Sequence, residues 1–418
     1  MPEKKIFNLD TSKKRALKLI ILFGIISLFG DIIYEGARSV NGPYLVMLGA
    51  NAATVGLIIG IGELLGYGIR LISGYFSDKT KAYWLFTIVG YGLLFTVPLL
   101  SLAGVWQLAA MFIISERIGK ALRNPARDTL ISKAAKQVGT GFGFALHEFF
   151  DQIGAIIGPL IFMFFFLSIG PSKLTLSNYQ QGYILQWIPF VLMMVFIFIA
   201  YYVSKNSREI SVNEQKDEKE PSKLPKIFWL YTLFSFITTI GFVNFALIGY
   251  HLKVNNLMSD AQIPLFYAVA MAVDAIIALF IGKMYDRLKN KRKNEKAGLM
   301  ILLIIPIFSA LIPAFAFSMN YMLIIISIVV WGIVMGAHET IMRAAVADIT
   351  CIEKRGTGYG VFTTSYGFAL FLGSILVGIL YDYSLTSLII ILVTIEFISI
   401  PFFVLMWKNT TIECDSHK

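Results

Sequence analysis

The 418-residue sequence predicts an all-α integral membrane protein, with twelve transmembrane helices in two pseudo-symmetric six-helix bundles. Four observations carry that expectation. The chain is 57% hydrophobic and only 15% charged, whereas soluble proteins carry about 25% charged residues. Its apolar residues come in blocks near the length that spans a bilayer, about 20 residues. Lysine and arginine cluster in every second connection between those blocks, and short motifs recur half a chain apart.

Taken in order, the first block covers about 16–46. The charged segment before it, "MPEKKIFNLDTSKKRALK", leads into an apolar run too long for a signal-peptide core, so span 1 is expected to be retained. Within it, "LIILFGIISLFG" gives way abruptly to "DIIYEGARS". Asp31, Glu35 and Arg38 follow at i, i+4 and i+7, which places them on one helical face. Span 2 (about 52–76) carries Glu63 and Arg70 and runs into "GYFSDKTK". Span 3 (about 84–104) is apolar. Span 4 (about 106–126) carries Glu116, Arg117 and Lys120, with Arg123 near its cytoplasmic end in "RNPARD". Span 5 (about 141–169) opens on "GTGFGF" and bears His147, Glu148 and Asp151, then "GAIIGP". Span 6 (about 181–204) closes the first half.

A polar stretch over 204–226 has no apolar periodicity and reads as a cytoplasmic linker between domains at 1–203 and 227–418. Spans 7 to 12 are expected at about 227–251, 262–284, 298–318, 321–346, 357–381 and 384–407. The second half is poorer in charge. Where span 1 has "GDIIYEGAR", span 7 has "GFVNFALIG", with Asn244 its one strongly polar residue. Asp274 in span 8 and His338, Glu339 and Arg343 in span 10 are the main ionisable residues there.

The basic segments all fall on one side, and the opposite loops hold only Lys173 and Lys253. By the positive-inside rule the basic side is cytoplasmic, with both termini inside a cytoplasmic membrane. The same distribution accounts for the net charge of +10 without nucleic acid. Cys351 and Cys414 form neither a metal pair nor a disulfide framework. No nucleophile elbow, zinc motif or phosphate loop is present, so neither an enzyme nor a cofactor is expected.

The repeats pair "GYFSDKTK" with "GKMYDRLK", "RNPARD" with "RAAVAD", and "GTGFGF" with "GTGYGV". Two parallel six-helix halves follow. Twelve spans, a central linker and G-x-x-x-D-[K/R] in both halves (Gly74, Asp78 and Lys79; Gly282, Asp286 and Arg287) resemble the major facilitator superfamily over essentially the whole chain. The resemblance implies two bundles around a midplane site that alternates between inward-open and outward-open states. It implies that Asp78 reaches span 11 near Gly356–Gly358, and Asp286 span 5 near Gly139–Gly141, where free N–H groups favour a carboxylate. It also makes spans 1 and 4 cavity helices. Arg117 and Lys120 match the family's arginine motif approximately. "GAIIGP" matches the core of an antiporter motif, with Ala145 and Phe162 standing where that pattern has glycine.

Each charge at the bilayer centre costs about 2.5–3.5 kcal/mol on insertion scales. The charges of spans 1, 2, 4 and 5 are therefore expected to face inward and pair, or to face a wet cavity. One reading is a structural salt-bridge network. The other is a proton relay and substrate site, for which Asp31, Glu35 and Arg117 lead. The expected activity is proton-coupled efflux of a drug-like or metabolite substrate by a monomer, with protons and membrane lipids as its other partners. A proton symporter, an exporter of an anionic metabolite or metal ion, and a receptor or enzyme on the same scaffold are the alternatives.

Overall fold

The computed structural model describes residues 3–170, 173–205, 224–292, 296–350 and 355–408. Those residues are almost entirely helical, and every expected span has its helix. Span 1 is α1 (Glu3–Met47), continuous through the charged N-terminal segment. Span 2 is α2 (Ala52–Thr80). Span 3 is α3 (Tyr83–Gly92) continued by tighter turns around α4 (Thr96–Leu99), where Pro98 removes a backbone donor. Spans 4 and 5 are α5 (Trp106–Ala135) and α6 (Thr140–Ile169). Span 6 is divided into α7 (Leu176–Ile184) and α8 (Trp187–Lys205).

In the second half, span 7 is broken. α9 (Lys226–Gly241) ends at a glycine, and α10 (Phe245–Val254) starts afresh with Asn244 as its cap, accepting from Ala246 N at 3.0 Å. Span 8 is α11 (Gln262–Arg292). Span 9 is a chain of short pieces, α12 (Lys296–Leu299), a tight turn, α13 (Ile304–Ser309) and α14 (Leu311–Ala316), containing Pro306 and Pro313. α15 (Tyr321–Ile349), α16 (Arg355–Tyr383) and α17 (Leu385–Lys408) complete the set. Ten of the twelve spans are long and apolar enough to cross a membrane. α5 is interrupted by its charges, and the apolar stretch of span 9 is shorter, Met300–Ala316.

Several helices outrun their apolar blocks. α2 continues through "SDKT", α5 through "RNPARD" to Ala135, and α11 through "YDRLKNKR". Lysine, arginine and alanine propagate a helix well once it has left the hydrocarbon. The segments expected as basic loops are thus largely helical ends.

The helices pack into two compact units, residues 1–38 with 69–216, and residues 39–68 with 217–418. In the first unit α1 and α6 cross at glycine. A Cβ on Gly154 would collide with Leu28 O, and one on Gly158 would lie 2.8 Å from Gly36 N. In the second unit the tip formed by the end of α1 and the start of α2 packs on α10 and α16. A Cβ on Gly42 would collide with Ala246 O, one on Gly56 with Ser374 O, and one on Gly378 would come within 2.5 Å of Ala52 O. Asp382, at the end of α16, accepts from Ala53 N at 2.9 Å and Ala52 N at 3.2 Å, capping α2. α11 and α15 meet at Gly332 and Gly336.

Candidate functional site

The charged stripe of α1 is buried in the first unit. Glu35 is buried and lies 3.6 Å from Arg38 one turn on. Immediately before Glu35 in the chain sits Tyr34, 3% exposed, with three cations around its ring. Lys120 Nζ is 3.6 Å from the ring centroid, the Arg117 guanidinium 4.6 Å and that of Arg38 6.0 Å. Two of those cations come from α5. Cations over an aromatic face gain most when desolvated, so Tyr34 binds α1 to α5 and holds positive charge close together in a dry place. Arg117 also lies 3.5 Å from the carboxylate of neighbouring Glu116.

Asp31, one turn before Glu35, faces Lys120, Arg123 and Arg127 of α5 as well as Glu35. Arg127 bonds Asp128 at 2.9 Å and donates to Ser27 of α1 at 3.3 Å. Arg123 is 1% exposed and lies over the ring of Tyr91 at 4.6 Å. From α6, Asp151 faces Asp31, Arg127 and Glu148, and its Oδ2 is 3.5 Å from His147 Nδ1. The glycine crossing of α1 on α6 produces this meeting, because Gly154 lies against Asp31 Cβ itself. Chemically, the arrangement is a chain of carboxylates and cations across three helices. Any of its carboxylates can trade a basic partner for a proton if the helices separate.

Residues 20–350 match the sequence profile of the Major Facilitator Superfamily. The chain belongs to that superfamily. It is 37% identical over 392 residues to an uncharacterized protein of Mycobacterium tuberculosis, covering 92% of each chain. An uncharacterized MFS-type transporter of Methanocaldococcus jannaschii is 25% identical over 392 residues, 91% of this chain and 93% of that one. Among solved structures, a bacterial homologue of the human lysosomal transporter Spinster, inward-facing and occupied, superposes with a TM-score of 0.68 at 15% identity. That match covers 94% of this chain and 96% of the other, a likeness of fold.

Of the residues singled out from the sequence of this superfamily member, Asp31, Glu35, Arg38, Arg117, Lys120, His147 and Asp151 come together in the first unit. Glu148 is exposed and accepts from Gln152 at 3.3 Å. Glu63 is buried but belongs to the second unit. In that unit Asp274 is fully buried against Gly336, and His338 Nδ1 is 3.0 Å from the Tyr366 hydroxyl, while Glu339 is half-buried. Of the repeated loop motif, Gly74 lies beside Pro125, and Asp78 is exposed and accepts from the Tyr83 hydroxyl at 3.0 Å. Lys79 sits over Tyr75 at 5.8 Å. Gly282 packs on Thr340 and Arg287 is exposed. The side chains of Asp286 and Arg343, most of the 204–226 linker, and both cysteines lie outside the described residues.

Sequence reasoning missed Tyr34 and Arg127. The tyrosine stood in the quoted stripe, at i+3 from Asp31. Arg127 lies one residue beyond the expected end of span 4, and the continuation of α5 to Ala135 sets it one turn after Arg123.

Proposed function

We propose that this superfamily transporter couples proton movement to efflux of a small amphipathic or metabolite substrate across the cytoplasmic membrane, through alternation of its halves at 1–203 and 227–418. The observation that carries the reading is Asp31, a carboxylate within a membrane-spanning helix that faces three cations of α5 and a second carboxylate of α6. Its charge balance changes with any separation of α1, α5 and α6. Geometry is thereby linked to proton binding, and intramembrane ionisable residues are by default functional. With both termini cytoplasmic, the tip packing of α1 and α2 on α10 and α16 is a closed outer gate.

The test begins with ligands. Compounds ranked by thermal stabilisation of the purified protein supply a substrate. In liposomes, an imposed pH gradient should then accumulate the best of them against its own gradient, and a protonophore should abolish the accumulation. Transport indifferent to the pH gradient would refute coupling. A second reading, an anionic substrate, is favoured by the three cations around Tyr34. Stabilisation by carboxylates or phosphates, and not by cationic amphiphiles, would select it.

In this reading Gly74, Asp78 and Lys79, with Gly282, Asp286 and Arg287, form the inner gate. Where the outer gate is closed, Asp78 is held by Tyr83 in its own unit. Asp78→Asn should impair transport with the fold retained, since it removes the charge that closes the inner side. Unchanged transport and unchanged labelling from the inside would reduce Asp78 to a loop charge.

A further inference from the structure

α17 contains one carboxylate, Glu396, in the middle of "LIIILVTIEFISIPFFV". It is 1% exposed. Thr238, in the last turn of α9, donates to Glu396 Oε2 at 2.5 Å. A Cβ on Gly241 would lie 2.5 Å from Oε1, so the carboxyl rests against the residue where α9 stops. Oε1 makes no hydrogen bond among the described residues, and Ser309 of α13 faces the same carboxyl without forming a well-shaped bond to that oxygen.

The helices packed on α17 are α9, α13, α14 and α16. α13 and α14 contain no ionisable residue. Those of α9 are Lys226, in its first turn, and Tyr231, whose hydroxyl donates to Met342 O. In α16, Arg355 and Tyr359 occupy the first turn, and Tyr381, Asp382 and Tyr383 the last, with mid-helix Tyr366 turned to His338. Among the described residues no charged side chain is placed against Glu396. Ionised, it would be a buried anion with no counter-ion among the described residues, a costly state. Neutral, it needs only an acceptor for its O–H, and the last carbonyls of α9 are freed where the helix ends.

We propose that Glu396 is a proton-binding site of the second unit: a neutral carboxylic acid held against the break between α9 and α10, which ionises when that break opens. The step is loss of one proton from the carboxyl to water, leaving carboxylate. The site shares no residue with the network of α1, α5 and α6, and it stands whether or not that network couples transport.

Infrared spectra of the purified full-length protein near neutral pH test the assignment. The wild type should show a protonated-carboxyl carbonyl band that Glu396→Gln lacks, with the melting temperature nearly unchanged, because glutamine is isosteric and keeps an acceptor for Thr238. A cysteine at Phe242, in the break, with the native cysteines removed, should alkylate faster as pH rises by more than the growing thiolate fraction accounts for, and this excess should vanish in Glu396→Gln. Identical spectra would overturn the proposal, as would a melting temperature raised by sodium over choline only when Glu396 is present, which marks a sodium site. Should Glu396→Gln fail to fold, Thr238→Val serves instead. It must shift the frequency of the band, and an unmoved band removes Glu396 as its source.

Discussion

Asp31→Asn should reduce gradient-driven accumulation to nothing while substrate exchange at equal pH continues. One proton moving down one pH unit supplies about 1.4 kcal/mol, or about a tenfold accumulation. Without the carrier the ratio falls to about one. Exchange needs only the conformational cycle and survives. A structural role for Asp31 predicts another outcome, because Lys120, Arg123 and Arg127 would then be left with too little negative charge among them. Removing one member of such a buried set costs about 3–5 kcal/mol, so exchange, accumulation and folded yield would fall together. Glu35→Gln is the companion experiment. Glu35 stands 3.6 Å from Arg38, so its neutralisation disturbs the cations around Tyr34 as well. If both variants accumulate substrate normally, Asp151 is next in line.

Gly56→Leu should abolish transport and leave a folded protein. The position meets the backbone carbonyl of Ser374, and the neighbouring Gly60 would place a Cβ 2.9 Å from Phe371 O. Backbone atoms in a packed helix cannot step aside for a side chain, and overpacking of this kind typically costs about 1–3 kcal/mol. If the tip contact is the closed outer gate proposed above, that cost falls on it alone, and the protein escapes it by staying outward-open. A cysteine at Val377, fully buried here, should become reactive to an impermeant maleimide in the variant and stay protected in the wild type. Protection in both, or transport at the normal rate, would show that the tip contact is not a gate. Asp382→Ala should act in the same direction more weakly, by about 1 kcal/mol, since it removes only the cap on α2.

Where the sequence was legible, hydrophobicity carried the information. Each of the twelve spans was visible because bilayer hydrocarbon forces apolar length, and the superfamily was visible in the repeated loop motif. The ends were less legible, because hydropathy falls where the helix does not. α5 runs nine residues beyond its expected end at 126, past Arg127 and Asp128 to Ala135. Arg127 was misread for that reason, and with it the lower half of the candidate site. Glu396 is a different case. A lone carboxylate in an apolar span is a readable signal, but span 6 of the first half has no charged counterpart to it. Tyr34 has no signature in sequence, because three cations gather on it from two helices only after folding. The break in span 7 was written in Gly241 and Asn244, a glycine stop and a capping side chain three residues apart.

The bonds from Asp382 to the start of α2 join residues separated by 330 and 329 positions. The hairpin at 39–68 is among the first parts of the chain to leave the ribosome, and the surface that receives it is among the last. At about 5–20 residues per second of synthesis, the hairpin waits on the order of tens of seconds for α16 to exist. During that interval its row of small residues, Gly42, Gly56 and Gly60, lies open to lipid or to whatever the insertion machinery places beside it. The first two helices of this protein must therefore be stable as a pair in the bilayer before they have the partner they are shaped for. The same surface whose glycines permit close approach late in assembly has to resist premature approach by others early on.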